Sequence, residues 1–427
     1  MPAPHAEATS WRDNIKITRQ TIYALLFIVF GVVLLLTVPN SIAGDVVTRL
    51  TFGDGVPEML VPTAGYAIVV ALLYVAGGAV ALIPGKALKR VKAIWLIFNG
   101  LLIIPTVLIL AAAGSSTNVT VMLQVSFRLA TPVVMGALAG IWCERAGVVN
   151  IAIEGMMLTG ACFGFVTLTL LAPSMGTPTA QLLGVLVSVL AGGLMSVLHA
   201  WLSITFKINQ VVSGTVINIL AVGLTSFTRR EVLLSSEAGR ETLQPFAIPF
   251  LSDIPVVGDV FFFGRPIFYS MFIILIVTHV VLFYTRWGLR TRAVGENPRA
   301  ADTLGIKVNR NRWINVIIGG LIAGLAGAWF SLETNGSFDD NMTSGRGFIA
   351  LAAMIFGKWT PIGAFGGGLL FGFSDALGQR FQFLGVPIPP QFLQMVPYVI
   401  TIVVLAGLVG RAVAPKADGV PYEKEGK

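Results

Sequence analysis

The chain has 427 residues, 55% of them hydrophobic and only 12% charged, with a net charge of +8. An ordinary soluble domain carries about 25% charged residues, so this composition speaks against a soluble enzyme and for a chain that sits mostly in lipid. The basic excess points to nucleic acid only if the cations cluster on a soluble surface, which makes their positions decisive.

A membrane-crossing helix needs about 20 predominantly apolar residues. In chain order such runs occupy 21–38, 64–83, 93–113, 129–143, 151–172, 182–204, 211–227, 267–284, 313–332, 348–373 and 392–409. The first could be a signal peptide cleaved after Ser41-Ile42-Ala43. Its polar lead and apolar core are long for that role, so a retained helix is expected. The run 129–143 is short, and 348–373 is interrupted by Lys358-Trp359-Thr360-Pro361, which predicts two pieces joined by a polar bend. The expected fold class is therefore an all-α polytopic membrane protein with 10–12 membrane segments.

Lys and Arg in the loops set orientation, with the cytoplasmic face the richer. Basic residues cluster at Arg12, Lys16 and Arg19, at Lys86, Lys89, Arg90 and Lys92, and at Arg286, Arg290, Arg292, Arg299, Lys307, Arg310 and Arg312. A further group is Arg411, Lys416, Lys424 and Lys427. If the interrupted run crosses as two pieces, all of these fall on one face with Arg145, Lys207 and Lys358, making 21 of the 29 basic residues. Both termini are then expected to be cytoplasmic, and nucleic acid drops out as a partner. The intervals that follow are a cytoplasmic N-terminal tail over 1–20, N-terminal membrane segments over 21–113, a core over 114–411, a cytoplasmic loop over 286–312, and a cytoplasmic tail over 412–427 whose end reads as disordered. The longest external loop, 228–266, reads either as a cap over helix ends or as a docking surface.

Cys143 and Cys162 form no C-x-x-C pair, and His5, His199 and His279 are far apart, so neither a disulfide framework nor a metal site is expected. Gly85-Lys86 and Gly357-Lys358 lack the remaining residues of a phosphate loop, and no H-E-x-x-H occurs. Catalytic residues are expected to be absent. A transporter of this kind must draw on an ion gradient, borrow ATP hydrolysis from a partner, or conduct passively.

The loop 286–312 reads RWGLRTRAVGENPRAADTLGIKVNRNR. Asn297 is a favoured N-cap with Pro298 at the first helical position, and Gly305 is a natural left-handed stop. Between them, 299–304 can form under two turns, with Ala300, Ala301 and Leu304 on one face. So short a helix is unstable alone, so that face is expected to dock, either on headgroups or in a partner's groove.

This loop, with GLRTRAVGENPRAADTLGI ahead of an apolar helix, resembles the coupling region of permease subunits of ATP-binding-cassette importers of the ribose and branched-chain amino acid type. The stretch 144–160, ERAGVVNIAIEGMMLTG, resembles the nucleoside branch, and 349–372 resembles the Gly-rich helix pair near the family's C-terminus. The resemblance covers about 120–411. It departs at Lys358-Trp359, where relatives often carry two small residues.

The resemblance implies a type II ABC importer permease architecture and the role of permease subunit in ATP-driven uptake of nucleosides, with ribose or another simple sugar as the alternative. It implies an ABC ATPase subunit holding ATP and Mg, an extracytoplasmic substrate-binding lipoprotein, and a second permease subunit, a heterodimer ahead of a homodimer. The location implied is the bacterial or archaeal inner membrane. Gly295, Glu296, Asn297, Pro298, Ala300, Ala301, Gly305 and Ile306 would form the ATPase-coupling element. Glu154 is the second candidate, because an ionisable group among apolar ones in a membrane segment usually faces a cavity or a partner. Pairing with Arg145 is its structural alternative. Asn150, Asn209 and Asn218 are further candidates for the substrate pathway, each with a structural reading beside it. An ion-coupled secondary transporter is the reading from another class, with Glu154 as the available ion ligand. Gly319, Gly320, Gly324 and Gly327, like Gly363, Gly367 and Gly368, read as faces for close helix packing.

Overall fold

The computed structural model describes residues 19–53, 55–83, 88–234, 241–383, 392, 395 and 412–424. The last expected segment, 392–409, and the tail before Arg19 lie almost wholly outside the described residues. The chain is helical, and among the described residues nine helices are long and apolar enough to cross a membrane. It is an all-α, multi-pass membrane protein. Contacts divide it into two units near residue 119.

The first unit holds α1 (Arg19–Ser41), α2 (Thr63–Leu82) and α3 (Lys89–Ala111). β1 (Val47–Thr51) pairs antiparallel with β2 (Met59–Pro62) and parallel with β3 (Ser116–Asn118). Its core gathers Leu34, Val38, Ala67, Val70, Ala71 and Tyr74. Tyr74 stacks on Phe27 and shares a hydrogen bond with Thr106 (3.1 Å), which satisfies a hydroxyl that burial would otherwise orphan.

The second unit comprises α4 (Val119–Glu144), α5 (Ile153–Met175), α6 (Thr177–Ala200), α7 (Gln210–Thr228), α8 (Pro266–Tyr284), α9 (Arg286–Glu296), α10 (Pro298–Thr303), α11 (Val308–Ala328), α12 (Arg346–Phe356) and α13 (Pro361–Phe383). The short run 129–143 belongs to a helix of 26 residues. Its first two turns look polar in sequence, but Ser126 donates to Met122 O (2.7 Å) and Gln124 to Asp259 O (2.9 Å), so those groups cost little. The interrupted run divides as expected, into the half-length α12 and the full-length α13.

Helices α5, α6 and α11 meet at Gly324. A Cβ on Gly160 would come within 2.6 Å of Gly324 O, and one on Gly192 within 2.5 Å of Gly324 Cα. Small residues there let three backbones touch, the packing that replaces the hydrophobic effect inside lipid. In the described part of the external loop, β4 (Phe246–Ala247) pairs with β5 (Phe263–Gly264). Leu243 N donates to Leu332 O (2.9 Å) and Gln181 to Glu241 O (3.0 Å), so this part caps helix ends. Phe250, Leu251 and Ile254 stay exposed.

One expectation is overturned. The C-terminal stretch read as disordered packs as a strap: Ala417 N donates to Gly295 O (2.9 Å), and Tyr422 is buried with Val294, Ala301 and Val308. Its polar composition hid a single aromatic anchor.

Candidate functional site: a cavity at a helix break and a short capped helix at the basic end

The segment between α4 and α5 doubles back along α4. Ideal Cβ atoms on Gly136 and Gly140 would lie 3.5 and 3.3 Å from the Ile153 side chain. Those glycines precede Glu144 by eight and four residues, which at 1.5 Å per residue is about 12 and 6 Å. Ile153 and Glu154 therefore sit one to two turns inside the helix end marked by Glu144. Cross-braces hold the returning backbone. Arg145 donates to the carbonyls of Trp359 (2.9 Å) and Lys358 (3.4 Å), Val149 N donates to Gln210 (2.7 Å), and Asn218 donates to Ile151 O (3.0 Å). Lys358 and Trp359 both have φ of 53°, the left-handed region that costs a non-glycine residue roughly 1–2 kcal/mol. Here Arg145 and the hydrogen bond from Trp359 Nε1 to Glu144 (2.6 Å) offset the strain.

Glu154 does not pair with Arg145. One carboxylate oxygen accepts from Thr343 Oγ1 (2.6 Å) and Gly345 N (2.8 Å), the other from Gly347 N (2.6 Å). These donors form the start of α12, whose N-cap is Gly345. Glu154 thus caps a half-helix from across the bundle and complements its positive end. Beside it, Gly155 N donates to Asn218 Oδ1 (2.8 Å), so one amide side chain satisfies two backbone groups at the start of α5. A Cβ on Gly155 would lie 2.9 Å from that Oδ1.

Glu154 and Asn218 line one cavity of about 450 Å³ with Gly155, Leu158, Ile219, Val222, Asn341, Ser344, Gly345 and Phe348. Its lining combines the apolar side chains of Leu158, Ile219, Val222 and Phe348 with amide, hydroxyl and carboxylate groups, the composition of a small-solute site. The other two candidates lie elsewhere. Asn150 is fully buried against Cys143 and Met156, and Asn209 caps α7 through Val211 N (2.9 Å) and Val212 N (3.3 Å). Sequence reading did not find Asn341, Ser344 or Phe348, whose loop reads as an ordinary connection.

At the basic end, Asn297 caps α10 by accepting from Ala300 N (3.1 Å), Pro298 opens it, and Gly305 (φ 79°) closes it. The expected apolar face is split. Ala301 is 2% exposed and turned inward, whereas Leu304 is 81% exposed; Ala300, Glu296 and Asn297 also face outward. Ile306 is half-buried. Gly295 is buried where a Cβ would collide with Arg145 O, which ties α9 to the same returning segment that carries Glu154. A groove of about 500 Å³ runs beside Leu304, lined by Trp287, Arg290, Ile306, Lys307 and Arg310.

The family model described as a branched-chain amino acid transport system permease component matches residues 122–405. The chain belongs to this permease family. The nucleoside ABC transporter permease NupC of Lactococcus lactis is 43% identical over 299 residues, covering 69% of this chain and 94% of that one. The guanosine ABC transporter permease NupQ of Bacillus subtilis is 41% identical over 302 residues, with the same coverage. A second guanosine permease of that bacterium, NupP, is 27% identical over 289 residues, 66% of this chain and 79% of its own. No solved structure gives a significant match. The permease has the cavity and helix breaks of a transport component, and among its described residues no cluster able to hold a metal ion.

Proposed function

We propose that this permease forms half of the transmembrane pathway of an ATP-driven nucleoside importer. The observation that carries the reading is the 43% identity to a nucleoside permease across 94% of that protein's length. The cavity supports it, since amide and hydroxyl groups in apolar walls suit a solute with a polar sugar and a flat base. Exposed polar groups at a membrane helix face imply a covering partner, because lipid would leave them unsatisfied. That partner is a second, different permease, a reading supported by the occurrence of two guanosine permeases, NupQ and NupP, in one bacterium.

In this reading the basic end is cytoplasmic, and both termini lie there. Gly295, Glu296, Asn297, Pro298, Ala300, Ala301, Gly305 and Ile306 couple the permease to an ATPase subunit that holds ATP and Mg. Within that element the outward residues, Glu296 and Asn297 with Leu304 beside them, make contact, while Gly295 and Ala301 fix its seat. A binding lipoprotein delivers solute at the opposite end. The ion-coupled alternative loses its ligand, since Glu154 is engaged with three donors of its own chain.

Reconstituted with its ATPase, second permease and binding protein, the transporter is expected to take up labelled guanosine, with other nucleosides competing and ribose and glucose not. Competition by the sugars alone would overturn the nucleoside assignment and leave the permease role standing.

A further inference from the structure

The cavity beside Glu154 has an unusual electrostatic design. Two helix starts converge on it, α5 at Gly155 and α12 at Gly345. Helix starts carry partial positive charge and free N–H donors, and together they favour carboxylate or phosphate ligands. Here the donors are occupied. Gly155 N is bound by Asn218, Gly345 N and Gly347 N by Glu154, Arg346 N by Thr343 O (3.0 Å), and Phe348 N by Gly345 O (3.0 Å). The first turn of α12 therefore has no amide to offer an entering anion.

Charge reinforces the point. Among the described residues Glu154 is the only charged one lining the cavity, and it is only 6% exposed. The adjacent cation, Arg346, is paired with Asp375 (2.8 Å), with both side chains about one-fifth exposed. Glu154 brings the one full charge there, while the starts of α5 and α12 are each worth only roughly half a charge and spread over N–H groups that are already engaged, so an entering anion meets a carboxylate and no free backbone donor in the first turn of α12.

We propose that Glu154 is the selectivity residue of this pathway: it admits uncharged polar solutes and turns away carboxylates and phosphates. Resting on the nucleoside reading, this adds that nucleosides pass while nucleotides and amino acids, which present an anionic group, do not. Asn218, Asn341 and Ser344 remain as the neutral polar contacts.

The test reads the cavity's charge directly. Ile219 lines the cavity and is 68% exposed, while the native Cys143 and Cys162 are buried. In the assembled transporter carrying Ile219→Cys, labelling by a cationic methanethiosulfonate reagent is expected to outpace that by an anionic one of similar size by about tenfold or more after correction for their intrinsic rates. Adding Glu154→Gln, which keeps an acceptor but removes the charge, is expected to reduce that ratio severalfold. Equal labelling by the two reagents with Glu154 intact overturns the proposal, even if the Gln variant fails to assemble; so does a ratio that Glu154→Gln leaves unchanged. Guanosine uptake is measured on the same preparation. Uptake with equal labelling retains the nucleoside reading and defeats the selectivity proposal. No nucleoside uptake, with the charge ratio intact, does the reverse.

Discussion

Glu154 links a residue-level hydrogen-bond count to the architecture of the cavity. Removing its carboxylate leaves the half-buried Gly345 N and the buried Gly347 N without acceptors, and a buried orphan costs about 1–3 kcal/mol. Glu154→Ala is therefore expected to speed amide exchange over 345–349 by at least about tenfold in hydrogen-exchange mass spectrometry, with Glu154→Gln between the two. Unchanged exchange would contradict the capping role. A second titratable site lies on the strap. Burial pushes the Asp418 carboxyl from 3.8 up to about 6, against the lowering effects of its hydrogen bond with Glu144 and the Arg312 charge. A carboxyl raised on folding stabilises the folded form below its unfolded value, and that contribution is lost as pH rises through about 6. Strap protection, corrected for intrinsic exchange, should be higher near pH 5 than near pH 7.5, and Asp418→Asn should reduce the difference, its partner Glu144 being a buried carboxyl as well. At this scale the sequence made Glu154 conspicuous as a charge in an apolar run. It could not reveal Thr343, Gly345 or Gly347 as its partners, because nothing local marks a contact across about 190 residues.

At the scale of elements, α10 shows what local chemistry can and cannot specify. The Asn297 cap, the Pro298 start and the Gly305 stop are all determined within a few residues, and the structure shows each of them. The orientation of the apolar face is a tertiary matter. Ala301 packs inward on Val294, Val308 and Tyr422, and the strap that supplies Tyr422 lies over 100 residues away. Ala301→Asp therefore tests packing rather than docking. Leu304→Asp is the cleaner probe of docking: transport should fall roughly tenfold, the loss expected for an interface anchor, with unchanged thermal stability of the permease. Normal transport would remove Leu304 from the contact. Tyr422→Ala should cost about 3 kcal/mol of local stability and raise amide exchange across α9 and α10 without altering α5. The same division explains Asn150 and Asn209: as polar residues near membrane segments they resemble Asn218 in sequence, but only Asn218 faces the cavity.

Across the whole molecule, a few charges carry most of the positional information. Apolar runs marked the membrane helices, because lipid demands length and hydropathy above all else. They fell short where polar groups are satisfied internally, as at the start of α4, whereas the polar interruption at Lys358–Pro361 did mark the break between α12 and α13. The basic end brings together Arg145, Lys358, α9 and the strap, while Glu154 lies one to two turns deeper on the segment that Gly295 braces. Movement of α9 thus has a short mechanical route to the cavity, the arrangement needed if ATP-driven closure shifts the balance between two conformations. The central claim is that ATP hydrolysis on a partner subunit drives nucleosides through this permease. Its most direct test is guanosine uptake into proteoliposomes containing the complete transporter, with ATP and the ion gradient varied separately. The account predicts uptake that requires ATP and the binding protein and persists when the gradient is collapsed; uptake that survives without ATP and disappears with the gradient would contradict it.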